Sequence, residues 1–228
     1  MKKIGLISRE KELIPQIKKA IKNYGFIHDQ KNPDLILTVG GDGTLLYAER
    51  LYPKIPKLPI KYKSICHKCA AFDIHHVLQS VRAGIYKEIK IQKLEVSHKG
   101  KTLQALNDII IRNKHQWAAL RFSLEVDGKP RGEFIGDGIV ASTSFGSTGY
   151  FQSITRENIK NGFAIALNNI HSLKKQSPIL FKKQAELTIQ REEAIMSIDN
   201  NPKALVVKAK ETLRIYPQGK TSIISVHP

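Results

Sequence analysis

The sequence predicts an α/β domain built on a parallel sheet, followed by a β-rich domain. Three observations predict it. An apolar run, Leu35-Ile36-Leu37-Thr38-Val39, leads straight into Gly40-Gly41-Asp42-Gly43-Thr44 and then a helical stretch. Strand, helix, strand, glycine loop, helix is the order of a parallel α/β sheet. Beyond residue 95 the apolar period falls to two, and turn residues punctuate it.

The elements follow in order. Residues 2–8 are apolar enough for a first strand. Leu13, Ile14, Ile17, Ala20 and Ile21 form a helical stripe over 9–24, with Pro15 at its start or at a bend and Gly25 as its stop. Residues 35–39 read as a buried second strand, with a helix from Leu45. Pro53, Pro56 and Pro59 break that helix after Leu51. Residues 72–83 resume a helix, stopped near Gly84. Short strands follow around residues 89–96, 103–112 and 120–126, with turns at His98-Lys99-Gly100 and Asp127-Gly128-Lys129-Pro130. Residues 179–191 and 203–216 continue the β character. The expected division is an α/β domain over 1–95, a β-rich domain over 96–212, and a final strand over 213–228 that returns to the first domain.

Composition narrows the function classes. At 228 residues the chain can bury substantial cores, and 41% hydrophobic with 25% charged residues is ordinary for a globular protein. No apolar run approaches the roughly 20 residues of a membrane span. The segment after Met1-Lys2-Lys3 is too short for a secretory leader, so a cytoplasmic protein is expected. Lys and Arg number 37 against 20 Asp and Glu, a net charge of +17. That excess suits anionic partners such as nucleotides or polyphosphate, and it equally suits a lysine-rich solvated surface. The lysines are dispersed with few aromatics among them, which argues against nucleic acid. Cys66 and Cys69 have the spacing of a zinc half-site, with His75 and His76 near. No second cysteine pair completes it.

The glycine loop carries the chemistry. Glycines 40, 41 and 43 let a ligand lie against backbone N–H groups, and the positive end of the following helix faces the same loop. Gly40, Gly41, Gly43 and Thr44 therefore suit phosphate. Asp42 does not, because a carboxylate among phosphates is repelled unless it binds a metal or takes a proton. A second run, Gly136-Asp137-Gly138 through Ser147-Thr148-Gly149-Tyr150, offers backbone donors, hydroxyls and an aromatic face suited to a nucleoside. It reads equally as a β-turn followed by a hydroxyl-rich turn. Asn107-Asp108, at the head of a strand, suits ribose hydroxyls or a purine edge, or a simple cap.

Taken together, these motifs resemble those of the NAD kinases, in order and approximate spacing. That family carries Gly-Gly-Asp-Gly-Thr after an early strand, an Asn-Glu or Asn-Asp pair, a Gly-Asp-Gly-like turn and a Thr-Pro-x-Gly-Ser-Thr-Ala-Tyr stretch. The counterparts here are residues 40–44, 107–108, 136–138 and 143–150. The first motif alone is shared with diacylglycerol and sphingoid kinases. The resemblance implies transfer of a phosphoryl group from ATP, another nucleotide or polyphosphate to the 2′-hydroxyl of the adenosine ribose of NAD. It implies Asp42 as the base, or a metal-holding group, and Gly43 as a dinucleotide contact. It implies Asn107 and Asp108 on the adenosine ribose and base, and Asp137 as a further carboxylate on NAD. Thr148, Gly149, Tyr150 and Ser153 match Thr-Ala-Tyr-x-x-Ser, and Asn201 falls where some members place a ligand-contacting Gln. Mg²⁺ (or another divalent cation), bound mainly through the nucleotide phosphates, and a homodimer or homotetramer are implied with it.

The chain departs from the family pattern. The usual Asn-x-Gly-x-x-Gly-Phe run is replaced by residues 61–72, which hold no glycine. Ile135 stands for an Arg, Ser144 for a Pro, Gly149 for an Ala, and Thr155-Arg156-Glu157 for a Gly-Gly-Pro. The competing readings are a lipid or sphingoid kinase and a non-catalytic binder of NAD or nucleic acid. The first leaves Asn107-Asp108 and residues 147–150 idle; the second leaves Asp42 idle.

Overall fold

The computed structural model describes residues 2–62, 73–172 and 177–226. Cys66, Cys69 and most of the glycine-free stretch at 61–72 lie outside the described residues. The chain divides into two compact units, Met1–Ile91 with Lys220–Pro228, and Gln92–Gly219.

The first unit opens with strand β1 (Lys3–Ser8), a 3-10 turn (Lys11–Leu13) and helix α1 (Ile14–Asn23). Pro15 sits in the first turn of α1, where its missing N–H costs nothing. Then come β2 (Ile27–His28), β3 (Leu35–Gly40), α2 (Asp42–Leu51), β4 (Lys57–Lys61) and α3 (Ile74–Ala83). β1 pairs in parallel with β2 and β3, and β3 with β4. Every residue of β3 is buried, as a central parallel strand requires. Ile17 and Ile21 of α1 and Val77, Leu78 and Val81 of α3 close one core over Leu35, Leu37, Val39, Leu58 and Ile60. Asp73 caps α3 by accepting from the backbone N–H groups of His75 and His76, and left-handed Gly84 ends it.

Two expectations for this unit are corrected. The helix after the glycine loop begins at Asp42 and not at Leu45. β4 forms across Pro59, where the prolines suggested only an interruption. Its Pro59 lies opposite Thr38 of β3, beyond the one position, Lys57, at which β4 meets Ile223 of the C-terminal strand.

The second unit is antiparallel. Its strands are β5 (Lys87–His98), which begins in the first unit, β6 (Lys101–Ala105), β7 (Asp108–Asn113), β8 (Leu120–Val126), β9 (Lys129–Gly136) and β10 (Gly138–Thr143). Helix α4 (Tyr150–Thr155) precedes β11 (Phe163–Asn168), β12 (Ile179–Phe181), β13 (Ala185–Arg191), β14 (Ala194–Ile198), β15 (Leu205–Val207) and β16 (Thr212–Ser225). One sheet has the order β12-β11-β10-β7-β14-β15. Facing it, β8 lies between β9 and β13, β13 pairs the start of β16, and β5 forms a hairpin with β6. Ile109, Ile111, Ile139 and Met196 from the first layer pack with Phe122, Leu124, Leu187 and Leu213 from the second in a single core. The alternating burial of β8, β13 and β14 follows from that geometry. A smaller cluster of Val140, Phe151, Ile159, Ala164 and Ala166 seats α4 on the outer face of the first layer. Lys99-Gly100 and Asp127-Gly128 all take positive φ, the two-residue hairpin turn that matches strand twist.

Here too the structure corrects the reading. The stretch 103–112 is two strands interrupted at Leu106-Asn107. Strands over 129–136, 163–168 and 194–198 were not anticipated. From Lys220 onward β16 belongs to the first unit, where Ile223 meets β4.

Candidate active site

In the first unit the site is the junction of β3 and α2. Gly40 ends β3 at φ 149°, and a Cβ there would fall 2.5 Å from the Thr44 hydroxyl. Only glycine lets the strand turn that tightly into the helix. Gly41 is the extended N-cap with no side-chain cap, and its carbonyl accepts from Thr44 N at 2.9 Å. Asp42 and Gly43 are the first two helical residues, both half-buried. The one acidic side chain of the first turn therefore stands at the positive end of a ten-residue helix. Thr44 is buried beneath the turn.

In the second unit, Asn107 and Asp108 are buried at the gap between β6 and β7. Their backbone is held from two sides. The Asp199 carboxylate accepts from Leu106 N at 3.0 Å, Asn107 N at 2.8 Å and Asp108 N at 3.1 Å. Asp199 N donates to the Asp108 carbonyl at 2.9 Å. From the other side, Thr143 Oγ1 donates to Leu106 O at 2.8 Å, and Thr143 N to Asn107 O at 2.9 Å. Gly146 lies directly on Asn107: an added Cβ would sit 2.5 Å from its carbonyl carbon. That close approach demands glycine. Asn201 completes the turn, its N–H donating to Ile198 O at 2.9 Å.

The turn after β10 leads into α4. Ser147 Oγ donates to Ser144 O and accepts from Ile159 N, so Ser147 braces the turn. Thr148, Gly149, Gln152, Ser153 and Arg156 line an open concavity of about 350 Å³. Thr148 Oγ1 is buried without a hydrogen-bond partner among the described residues. Such an orphan is rare in folded proteins. Arg156 holds a left-handed backbone at the rim, φ 62°. Ser153 Oγ donates to Tyr150 O at 2.7 Å.

Asp137 is not brought to Asn107 and Asp108. β7 and β10 run antiparallel, with Asp108 opposite Ser142 and Arg112 opposite Gly138. Asp137 thus lies at the far end of β10, about 17 Å along the strand from Ser142. There it accepts from Asn169 Nδ2 at 3.1 Å. The half-exposed Tyr150 reaches toward the same end, its hydroxyl 3.4 Å from Asn168 Nδ2. Asn168, Asn169, Gln152 and the clamping role of Asp199 were missed from sequence. Nothing in the local sequence of Asp199 points 90 residues back along the chain.

The profile of the ATP-NAD kinase C-terminal domain matches residues 106–226, over half of the chain. The chain belongs to the NAD kinase family. The match covers Asn107-Asp108, the Gly136-Asp137-Gly138 turn, the 143–150 run and Asp199. An NAD kinase of Methanothermobacter thermautotrophicus is 30% identical over 146 residues, 62% of this chain and 50% of that protein. NAD kinase 2 of Bacillus licheniformis is 29% identical over 158 residues, 63% of this chain and 57% of its own length. The chain thus spans about half the length of these curated relatives. Among solved structures, an NAD kinase from Archaeoglobus fulgidus in complex with ATP superposes with a TM-score of 0.83 at 18% identity, covering 98% of this chain and 93% of that one. Yeast NADH kinase complexed with NADH gives 0.82 at 15% identity, covering 100% and 84%. These family members share the fold described above: a mixed-sheet unit and an antiparallel one.

Proposed function

We propose that this member of the NAD kinase family phosphorylates the 2′-hydroxyl of the adenosine ribose of NAD. The observation that carries the reading is Asp42, the one carboxylate in the first turn of a helix whose approach is made of glycine. In the proposed step the ribose 2′-oxygen bonds to the terminal phosphorus of the donor, and the bond from that phosphorus to its bridging oxygen breaks. The hydroxyl proton passes to the Asp42 carboxylate, and the leaving group is ADP or a polyphosphate shortened by one unit. A positioned base contributes ~10²–10⁴-fold. The larger share comes from charge stabilisation on the phosphoryl oxygens, to which the positive end of α2 is suited. Asn107 and Asp108, held by Asp199 and Thr143, bind the adenosine ribose and base. Thr148 supplies its unpartnered hydroxyl to the nucleotide.

The glycine loop offers one hard oxygen donor, Asp42, and the proposed step uses it as the base. Among the described residues no group of three or more His, Cys, Asp or Glu side chains gathers at one point. Mg²⁺ would be held mainly through the nucleotide phosphates, whose charge it neutralises. Asp137, at the far end of β10 from Asn107, would serve a dinucleotide in a second copy of the chain, in keeping with a homodimer or homotetramer. No helix among the described residues is long and apolar enough to cross a membrane. A cytoplasmic location belongs to the same proposal.

The test is NADP formation from NAD with ATP, another nucleoside triphosphate or polyphosphate, run beside Asp42→Asn. Activity with at least one donor is expected, with kcat lowered ~10²–10⁴-fold in the variant. A protein that binds NAD and makes no NADP with any donor would overturn the reading.

A further inference from the structure

The first unit contains a buried polar network that the proposed chemistry does not use. Lys57, the first residue of β4, is 0% exposed, and Glu49 of α2 and Thr221 of β16 are buried with it. Lys57 Nζ donates to Glu49 Oε2 and, at 3.2 Å, to Thr221 Oγ1. Thr221 Oγ1 donates to the same carboxylate oxygen at 2.8 Å. Three elements far apart in sequence therefore meet at one carboxylate.

Burying this pair works against stability. Two charges lose their hydration, and apolar residues of equal volume commonly do as well or better. What the pair supplies in return is a unique register. Glu49 follows Asp42 by seven residues, two helical turns, so the two project from the same side of α2 about 10 Å apart along its axis. A helix held only by Leu45, Leu46 and Ala48 can slide or rotate slightly over an apolar sheet. A helix whose buried carboxylate must meet an ammonium and a hydroxyl cannot, because any shift leaves a charge unpaired.

We propose that Glu49, Lys57 and Thr221 are positioning residues that set the height and rotation of α2, and hence the placement of Asp42. The C-terminal strand thereby becomes part of the catalytic apparatus through Thr221. The inference rests on the proposed phosphoryl transfer for its kinetic consequence, though not for its mechanical one.

The informative variant is the double Glu49→Leu, Lys57→Met, which removes both charges and keeps the volume. It is expected to fold with thermal stability close to the parent, with kcat at least tenfold lower and KM for NAD within twofold. Thr221→Val should lower kcat by a smaller factor, and Thr221→Ser should restore it. A folded double variant with kcat within twofold of the parent overturns the proposal. Amide hydrogen exchange over residues 42–46 is followed in the same proteins without any substrate. Exchange at least tenfold faster in the double variant is expected, and unchanged protection overturns the proposal. If the parent makes no NADP, the function is wrong, and the exchange experiment still decides the positioning role.

Discussion

Asp199→Asn isolates the clamp that holds Asn107 and Asp108. Asp199 takes a left-handed backbone, φ 47°, which Asn tolerates, so the substitution alters hydrogen bonding without adding backbone strain. Oδ1 of Asp199 serves Asn107 N and Asp108 N, and Oδ2 serves Leu106 N. An amide can keep its oxygen toward the first two. Its NH₂ must then face the Leu106 N–H, donor against donor. One charge-assisted bond of about 1.5–3 kcal/mol is lost, and the other two fall to neutral strength. The expected cost is about 2–4 kcal/mol, or about 10 °C in Tm for a chain of this size. Urea unfolding followed by circular dichroism measures the first, and calorimetric titration with NAD the consequence. Affinity for NAD should fall at least tenfold, since Asn107 and Asp108 lose their fixed backbone. A variant within 0.5 kcal/mol of the parent, with unchanged affinity, would refute the clamp.

Gly146→Ala places a methyl group into the Asn107 backbone and should cost about 3 kcal/mol, read as a lower urea midpoint. Thr148→Val removes a hydroxyl that has no partner among the described residues, so stability should change by less than about 0.5 kcal/mol while nucleotide affinity falls about tenfold; equal affinity would make the hydroxyl irrelevant. Burial raises the Glu211 carboxyl, but hydrogen bonds from Lys99, His98 and the Lys208 N–H outweigh it and hold the group at about 2 in place of 4.5. A depressed folded value means stability that is present above about pH 4.5 and lost as the pH falls toward 2. Glu211→Gln should therefore lose about 1–2 kcal/mol at pH 7, after allowance for solvent screening, and most of that difference should disappear as the pH falls through about 2. A difference from the parent that does not shrink across that range in acid unfolding curves would contradict this account.

Much of this fold was legible because the decisive signals are local. The apolar run over residues 35–39, leading straight into Gly40, announces a buried parallel strand whatever surrounds it. Asp127-Gly128 announces a hairpin because Asp-Gly is one of the few pairs that accept two left-handed residues in succession, and Gly100 marks the turn at residues 98–100. The strand over Lys129–Gly136 was invisible for the opposite reason. It is mostly exposed, and its Lys, Pro, Arg, Gly and Glu residues carry no apolar period. β4 was hidden by Pro59, which is tolerated where the ladder does not need its N–H. The break at Leu106-Asn107 is held by partners remote in sequence, Asp199 and Thr143.

By itself the sequence determined the order of α/β and β-rich parts, the glycine turn before Asp42 and the set of residues that resemble a nucleotide site. Backbone propensity and apolar period act over a few residues, so they can be read along the chain. Only the tertiary structure decided that Asp199 grips Asn107 and Asp108, that Asp137 stands at the opposite end of β10, and that Glu49, Lys57 and Thr221 meet inside one core. Those contacts join residues up to 172 positions apart. They form because burial leaves each polar group only the partner that folding brings to it.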